Sequence, residues 1–238
     1  MIEGTIANTL SIVAGGCVGL LIAAVGRKNS GANVRMDDDA ISPNVMKALG
    51  LAVLVMGVHM TLKEHDYFPV VVCLALGTFI GELCRIEARI EQLGSWLKKI
   101  SKSQSGTFVD GFVFASVLFC VGAMAILGSL ENSLSDDPSL LYTKSLLDGI
   151  AAALLTGTLG IGVIFSAIPV LLYQGGISIG ASQLSFLLEN PIYINGISIT
   201  GGVMIIAIGM NLAGLAKFRI ANMLPAVVLI PIYDIFMI

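Results

Sequence analysis

The chain has 238 residues, 56% of them hydrophobic and only 12% charged, with a net charge of −3 and a mean hydropathy of +0.92. Those values exclude a sizeable water-soluble domain and describe a protein that is mostly membrane with short loops. No basic stripe suggests nucleic acid, so the lipid bilayer is the first partner to expect.

The hydropathy pattern predicts an all-α fold, a polytopic bundle of seven or eight transmembrane helices forming one domain over 1–238. The first span falls at 6–25. Met1-Ile2-Glu3 before it lacks the basic region of a secretory signal, so this span reads as retained and not cleaved. Spans at 45–62 and 68–84 follow. The stretch 86–100 differs, because Ile86, Ile90, Leu93, Leu97 and Ile100 recur at helical spacing with charges opposite. That pattern predicts an amphipathic helix in the interface with Trp96 at headgroup level, and gating or partner docking is the alternative use for it. Further spans are expected at 111–130, 149–173, 197–215 and 220–238. From Gly149 to Ala216 the one charged side chain is Glu189. Within that region 177–188, set off by Gln174-Gly175-Gly176 and Glu189-Asn190-Pro191, is about 12 residues and short for a crossing. A re-entrant hairpin, an interfacial helix and a tilted eighth span all remain open for it.

Basic residues orient the bundle, since cytoplasmic loops collect Lys and Arg. Arg27, Lys28, Arg35 and Lys47 flank the first loop, and Arg85, Arg89, Lys98, Lys99 and Lys102 fill the third. Both loops are expected in the cytoplasm, with the N-terminus outside. An eighth crossing at 177–188 would bring Lys217 and Arg219 inside as well, placing eleven of the thirteen basic residues there instead of nine, and eight crossings are therefore preferred.

Two internal matches suggest inverted repeats. Gly4-Thr5 with Cys17-Val18-Gly19 and Gly26 recurs as Gly106-Thr107 with Cys120-Val121-Gly122 and Gly128, relating the first and fourth spans. Met56-Gly57 and Phe68-Pro69-Val70-Val71-Val72 are echoed by Ile208-Gly209 and Leu224-Pro225-Ala226-Val227-Val228, relating spans two and three to the last two. With eight crossings each matched pair points in opposite directions, a pattern common in secondary transporters.

Catalysis is poorly provided for, and no enzyme activity or cofactor is expected. The histidines are His59 and His65 alone, no H-E-x-x-H occurs, and Cys17, Cys73, Cys84 and Cys120 stand singly within spans, where they are expected to be buried and reduced. Thr156, Gly157, Thr158, Gly160 and Gly162, with Ser166 beyond them, fall near the middle of 149–173 and suggest a locally unwound helix that exposes carbonyls to a solute. Close packing through small residues is the alternative, as also for Gly15 with Gly19 and Gly77 with Gly81 at G-x-x-x-G spacing. The other polar groups in or at the edge of spans that could line an ion or solute site are Asn8, Asp110, Ser116, Asp148, Gln174 and Asn211. Asp110 and Asp148 are expected at opposite membrane faces, opening spans four and five. No acid is expected at mid-membrane, which favours sodium or a neutral solute, held by carbonyls, hydroxyls and amides, over a proton relay.

Four blocks in order, Phe114 to Ser129 around Cys120-Val121-Gly122-Ala123-Met124, Lys144-Ser145-Leu146-Leu147-Asp148-Gly149-Ile150, Gly160-Ile161-Gly162-Val163-Ile164-Phe165-Ser166-Ala167-Ile168-Pro169-Val170 and Ala221-Asn222-Met223-Leu224-Pro225-Ala226, resemble the bacterial inner-membrane proteins typified by YqgA and YdfK. The likeness runs nearly end to end. It implies a multi-pass protein of the bacterial inner membrane from a family of unknown function, whose members have carried labels as sodium channels or pumps. It supplies no catalytic or ligand residues. The function expected from these readings is transport or channelling of a cation, sodium favoured, or of a small solute, compatible with a homo-oligomer. A non-transporting scaffold or assembly protein is the rival: a transporter should show a polar, water-accessible cavity at the midplane, whereas a scaffold should be packed solid there and carry its unusual features on the surface.

Overall fold

The structure, a computed structural model, describes residues 2–29 and 43–237. Most of the first basic loop, including Arg35, and the side chains of Arg27 and Lys28 lie outside the described residues. Among those described, all regular structure is helical: α1 Glu3–Asn29, α2 Pro43–Thr61, α3 Tyr67–Cys84, α4 Ile86–Ile100, α5 Phe108–Val121, α6 Ala123–Leu134, α7 Ser139–Leu159, α8 Gly162–Phe165, α9 Ala167–Ile179, α10 Ala181–Leu184, α11 Phe186–Glu189, α12 Pro191–Leu212 and α13 Pro225–Met237.

Six stretches are long and apolar enough to cross a membrane: α1, α2, α3, α8 with α9, α12, and Ile220–Met237, where a 3-10 turn at Ile220–Met223 leads into α13. The α5–α6 pair makes a seventh, bent by 58° at Gly122, whose extended backbone interrupts the helix. Helix α7 contains Lys144 and Asp148 and is less apolar, yet it lies beside α1 in parallel. Ser11, Gly15 and Gly19 face Ser145, Gly149 and Ala153 at a constant offset. The two helices therefore run side by side at the same level, and on that packing we read α7 as an eighth crossing beside the apolar spans.

Two expectations are corrected here. The stretch 149–173 is not one span: α7 begins ten residues earlier than 149, ends at Leu159, and the chain turns back into α8 and α9. Nor does 177–188 cross, since it holds the end of α9 and the short α10 and α11. The physical reason is the Lys144–Asp148 ion pair, one helical turn apart, which lets a charged segment run inside a helix where hydropathy alone places a boundary. The glycine run thus marks a turn at the end of α7 and not a mid-span break. Gly160 has φ 79 and ψ −170, a conformation essentially reserved for glycine. Gly160→Ala should cost about 1–3 kcal/mol of stability, read as a lowered thermal midpoint in detergent.

The eight crossings alternate. Gly50 and Gly57 of α2 meet Gly209 and Gly202 of α12, and Gly77 and Gly81 of α3 meet Ala226 and Asn222, so both pairs are antiparallel, as inverted repeats require. The α1 and α5–α6 pair also run oppositely, though α1 stays straight at Gly19 where its match bends at Gly122. The G-x-x-x-G pairs are packing surfaces: a Cβ on Gly15 would lie 2.0 Å from the Gly149 carbonyl oxygen, and one on Gly81 would lie 1.9 Å from that of Asn222. Leu10, Leu21, Ile22, Val55, Phe79, Leu172 and Phe236 form part of a broad exposed apolar surface suited to lipid. All four cysteines are free, but Cys17 and Cys84 are exposed on this outer surface, where their small apolar side chains meet no helix neighbour that buries them.

Helix α4 joins the ends of α3, α5 and the 220–223 turn, and Lys98, Lys99, Lys217 and Arg219 gather there; we call this the basic end. The bundle turns from α3 into α4 at Arg85, which adopts a left-handed φ of 50. Leu97 packs on Phe108 and Phe112, while Trp96 is exposed, as an interfacial helix requires.

Candidate functional site

Three helices bring polar side chains together inside the half of the bundle away from the basic end. Lys144 and Asp148 of α7 form an ion pair, Asn8 of α1 donates from Nδ2 to Asp148 Oδ2 at 3.0 Å, and the same Nδ2 approaches Gln174 Oε1 of α9 at 3.4 Å. Asn8 and Gln174 are fully buried, and Lys144 and Asp148 are 5% and 8% exposed. Asp148 lies nine residues after Ser139 and eleven before Leu159, so its Cα is about 14–16 Å from either end of α7. The expectation that Asp148 opens a span is therefore overturned: it lies within α7, buried beside Asn8 in the second turn of α1.

The cluster is under-satisfied. Asn8 Oδ1, Gln174 Nε2 and Thr5 Oγ1, all on fully buried side chains, have no hydrogen-bond partner, nor does Thr156 Oγ1 further along α7. Such atoms are costly in an apolar interior and rare in folded proteins, so they call for water, an ion or a ligand. From Thr5 a buried polar column continues toward the far end: Gly4 donates its N–H to Asn132 Oδ1 at 3.0 Å, and Ser178 Oγ donates to the Ser129 carbonyl at 3.4 Å. Both Asn132 and Ser129 are buried.

Other candidates lie elsewhere. Asp110, exposed at the start of α5, and Asn211, near the end of α12, line a cavity of about 680 Å³ at the basic end together with Glu87, Glu91, Lys217 and Arg219. This cavity and the buried cluster share no lining residue. A second, apolar crevice of about 390 Å³ between α4, α5, α9 and α13 reaches Cys120 and Tyr173. Ser116 borders the crevice but spends its hydroxyl on the Phe112 carbonyl; Thr158 and Ser166 likewise donate to carbonyls of their own segments. Gly162 packs against Phe108, where an added Cβ would lie 2.0 Å from the carbonyl oxygen. None of Ser116, Thr158, Gly160, Gly162 and Ser166 joins the cluster.

Two participants escaped the sequence reading. Lys144 was legible only through its i,i+4 relation to Asp148 in an otherwise apolar helix. His65, in the α2–α3 turn, meets Asp234 of α13, its Nε2 lying 3.1–3.2 Å from both carboxylate oxygens and its Nδ1 2.6 Å from the Asp66 carbonyl. No three His, Cys, Asp or Glu side chains among the described residues gather as a metal site would require.

The basic end has one titratable clasp. Glu87 Oε2 accepts from the Ala221 N–H at 2.9 Å while the Glu87 N–H donates to Asn222 Oδ1 at 2.9 Å, so the start of α4 and the 220–223 turn cap each other. Burial pushes the Glu87 carboxyl above its ordinary value of 4.5, against the opposing effects of the Ala221 N–H and Arg219. The folded protein thus holds this proton more firmly than the unfolded chain, and the contribution is fully present below 4.5 and lost as pH rises through the elevated value. Hydrogen exchange of α4 should accordingly quicken with pH beyond its intrinsic dependence, and Glu87→Gln should remove that excess.

Six helices long and apolar enough to cross a membrane, a seventh bent pair, an interfacial helix and charges buried between helices define a polytopic membrane protein of all-helical architecture. The chain belongs to the family described as "Protein of unknown function (DUF554)", whose model matches residues 3–235. It is 31% identical over 234 residues to the uncharacterized membrane protein YdfK of Bacillus subtilis (strain 168), covering 96% of this chain and 94% of that one. It is 29% identical over 236 residues to the uncharacterized protein YqgA of Escherichia coli (strain K12), with the same coverage. No solved structure gives a significant match.

Proposed function

We propose that the protein is a transporter of the bacterial inner membrane that moves a cation, sodium first, or a small solute, and that it is not an enzyme. The observation that carries this reading is the Lys144–Asp148 pair with Asn8 and Gln174, buried between α1, α7 and α9 and left with unpartnered polar atoms. A scaffold has no use for such a cluster, because an apolar replacement of a buried ion pair is commonly neutral or stabilising, whereas ionisable groups within a membrane usually belong to a pathway. The Lys and Arg at the basic end support a cytoplasmic position for it on the positive-inside rule. On that orientation the 680 Å³ cavity is a cytoplasmic vestibule, and it shares no lining residue with the cluster.

The test is a flux screen on purified protein in proteoliposomes against sodium, potassium, protons and small neutral metabolites. Flux of one of them above that of empty vesicles, lost in Asp148→Asn at equal incorporation, is expected. Absence of any flux from folded, correctly inserted protein would favour the scaffold.

A further inference from the structure

We infer that a monovalent cation occupies Asp148 by displacing the Lys144 ammonium, and that the site exchanges one proton for each ion; this rests on the transport reading and adds the coupling to it. The Asp148 carboxylate is not vacant. Its Oδ2 receives both Lys144 Nζ and Asn8 Nδ2, so an incoming cation meets an ammonium already seated. Ion pair and surroundings are neutral overall, and an added charge without compensation would be buried among apolar helices at a cost of several kcal/mol by order of magnitude.

Neutrality returns if Lys144 leaves as an amine. One N–H bond of the ammonium breaks, its proton passes to water, the nitrogen keeps the electron pair, and the cation takes the place of the positive charge beside the carboxylate. A divalent ion would leave the site with an excess charge that one carboxylate and one lysine cannot offset. Oxygen ligands are at hand: Asn8 Oδ1, on the side chain that touches Asp148, and Thr5 Oγ1, one turn earlier on α1, are buried and unpartnered.

The titratable groups that face Lys144 are few. Asp148 is its ion-pair partner on α7; the Cys120 thiol of α5 interacts with both ions, and the Tyr173 phenol of α9 interacts in turn with Cys120. Helix α1 presents neutral Asn8 and Ser11, and α8 has no titratable side chain. The acids of α1 and α6, Glu3 and Glu131, lie toward the same end of the bundle as the cluster, Glu3 five residues before Asn8 and Glu131 beside Asn132. The exchange therefore turns on the pair itself.

The experiment is calorimetric titration of the full-length protein in detergent with sodium chloride, against choline chloride, in two buffers of different ionisation enthalpy. The difference between buffers counts protons released per ion bound. The expected result is one proton per sodium in the wild type, no sodium binding in Asp148→Asn, and sodium binding without proton release in Lys144→Met. Sodium binding by the wild type with no proton release would overturn the exchange and leave cation transport standing. No binding of sodium, potassium or lithium by folded wild type would overturn both the exchange and the cation reading, leaving neutral solutes to the flux screen. The wild-type count decides the matter even if Lys144→Met fails to fold.

Discussion

Asp148→Leu should destabilise the protein by about 3–5 kcal/mol, because it strands the Lys144 ammonium in a site 5% exposed with no counter-ion. Lys144→Met should cost a similar amount by stranding the carboxylate, which would keep only the Asn8 amide as a partner. The double variant Lys144→Met/Asp148→Leu should recover most of the loss, since apolar groups of similar volume then fill the space between α1, α7 and α9. Thermal unfolding of the four proteins in one detergent gives the coupling directly, and a strongly favourable non-additivity is expected. Additive losses would mean that the two side chains do not depend on one another in the folded state.

The seam between α1 and α7 should be equally intolerant of bulk. Ser11, Gly15 and Gly19 interleave with Ser145, Gly149 and Ala153, and an added Cβ would lie 2.0 Å from the Gly149 carbonyl oxygen at Gly15 and 2.2 Å from that of Ala153 at Gly19. Backbone cannot yield as a side chain can, so Gly15→Leu must drive the helices apart. Overpacking of this kind costs about 1–3 kcal/mol and occasionally more, and the double substitution Gly15→Leu/Gly19→Leu should exceed that range. The same separation draws Asn8 away from Asp148, so loss of packing and loss of the polar cluster should appear together. Leu21→Ala, on the exposed face of the same helix, should leave the thermal midpoint nearly unchanged.

How far these features were legible in the sequence depends on the signal each one leaves. The long apolar runs of α1, α2, α3 and α12 announced themselves, since lipid exposure demands apolar side chains over a whole span. The amphipathic period of α4 was as plain. A span begun at Gly149 cuts α7 short, because hydropathy sums side chains singly and misses that a lysine and an aspartate one turn apart neutralise each other. The turn at Gly160 was mistaken for a mid-span break for the same reason, as a span begun at Gly149 places that glycine near its centre. The count of basic residues points to an even number of crossings because Lys217 and Arg219 share the end that carries α4, and reading α7 as a crossing gives that number without 177–188.

The site was legible by residue and not by assembly. Asn8, Asp148 and Gln174 stood out as polar groups in apolar helices, which is costly unless they are partnered. Their convergence depends on the parallel α1–α7 seam, and that seam is set by small residues whose partners only a three-dimensional arrangement identifies. His65 was missed because a histidine in a turn looks solvated, whereas Asp234 and the close backbone of Gly196 enclose its ring.

The most direct test of the central claim is uptake of radioactive sodium into proteoliposomes by the wild type and by Lys144→Met/Asp148→Leu, matched for incorporation and thermal midpoint. The account predicts uptake by the wild type and none by the double variant, since packing is preserved and the charged site is gone. Equal uptake by both proteins would show that the buried pair is structural and that ions, if they cross, cross elsewhere.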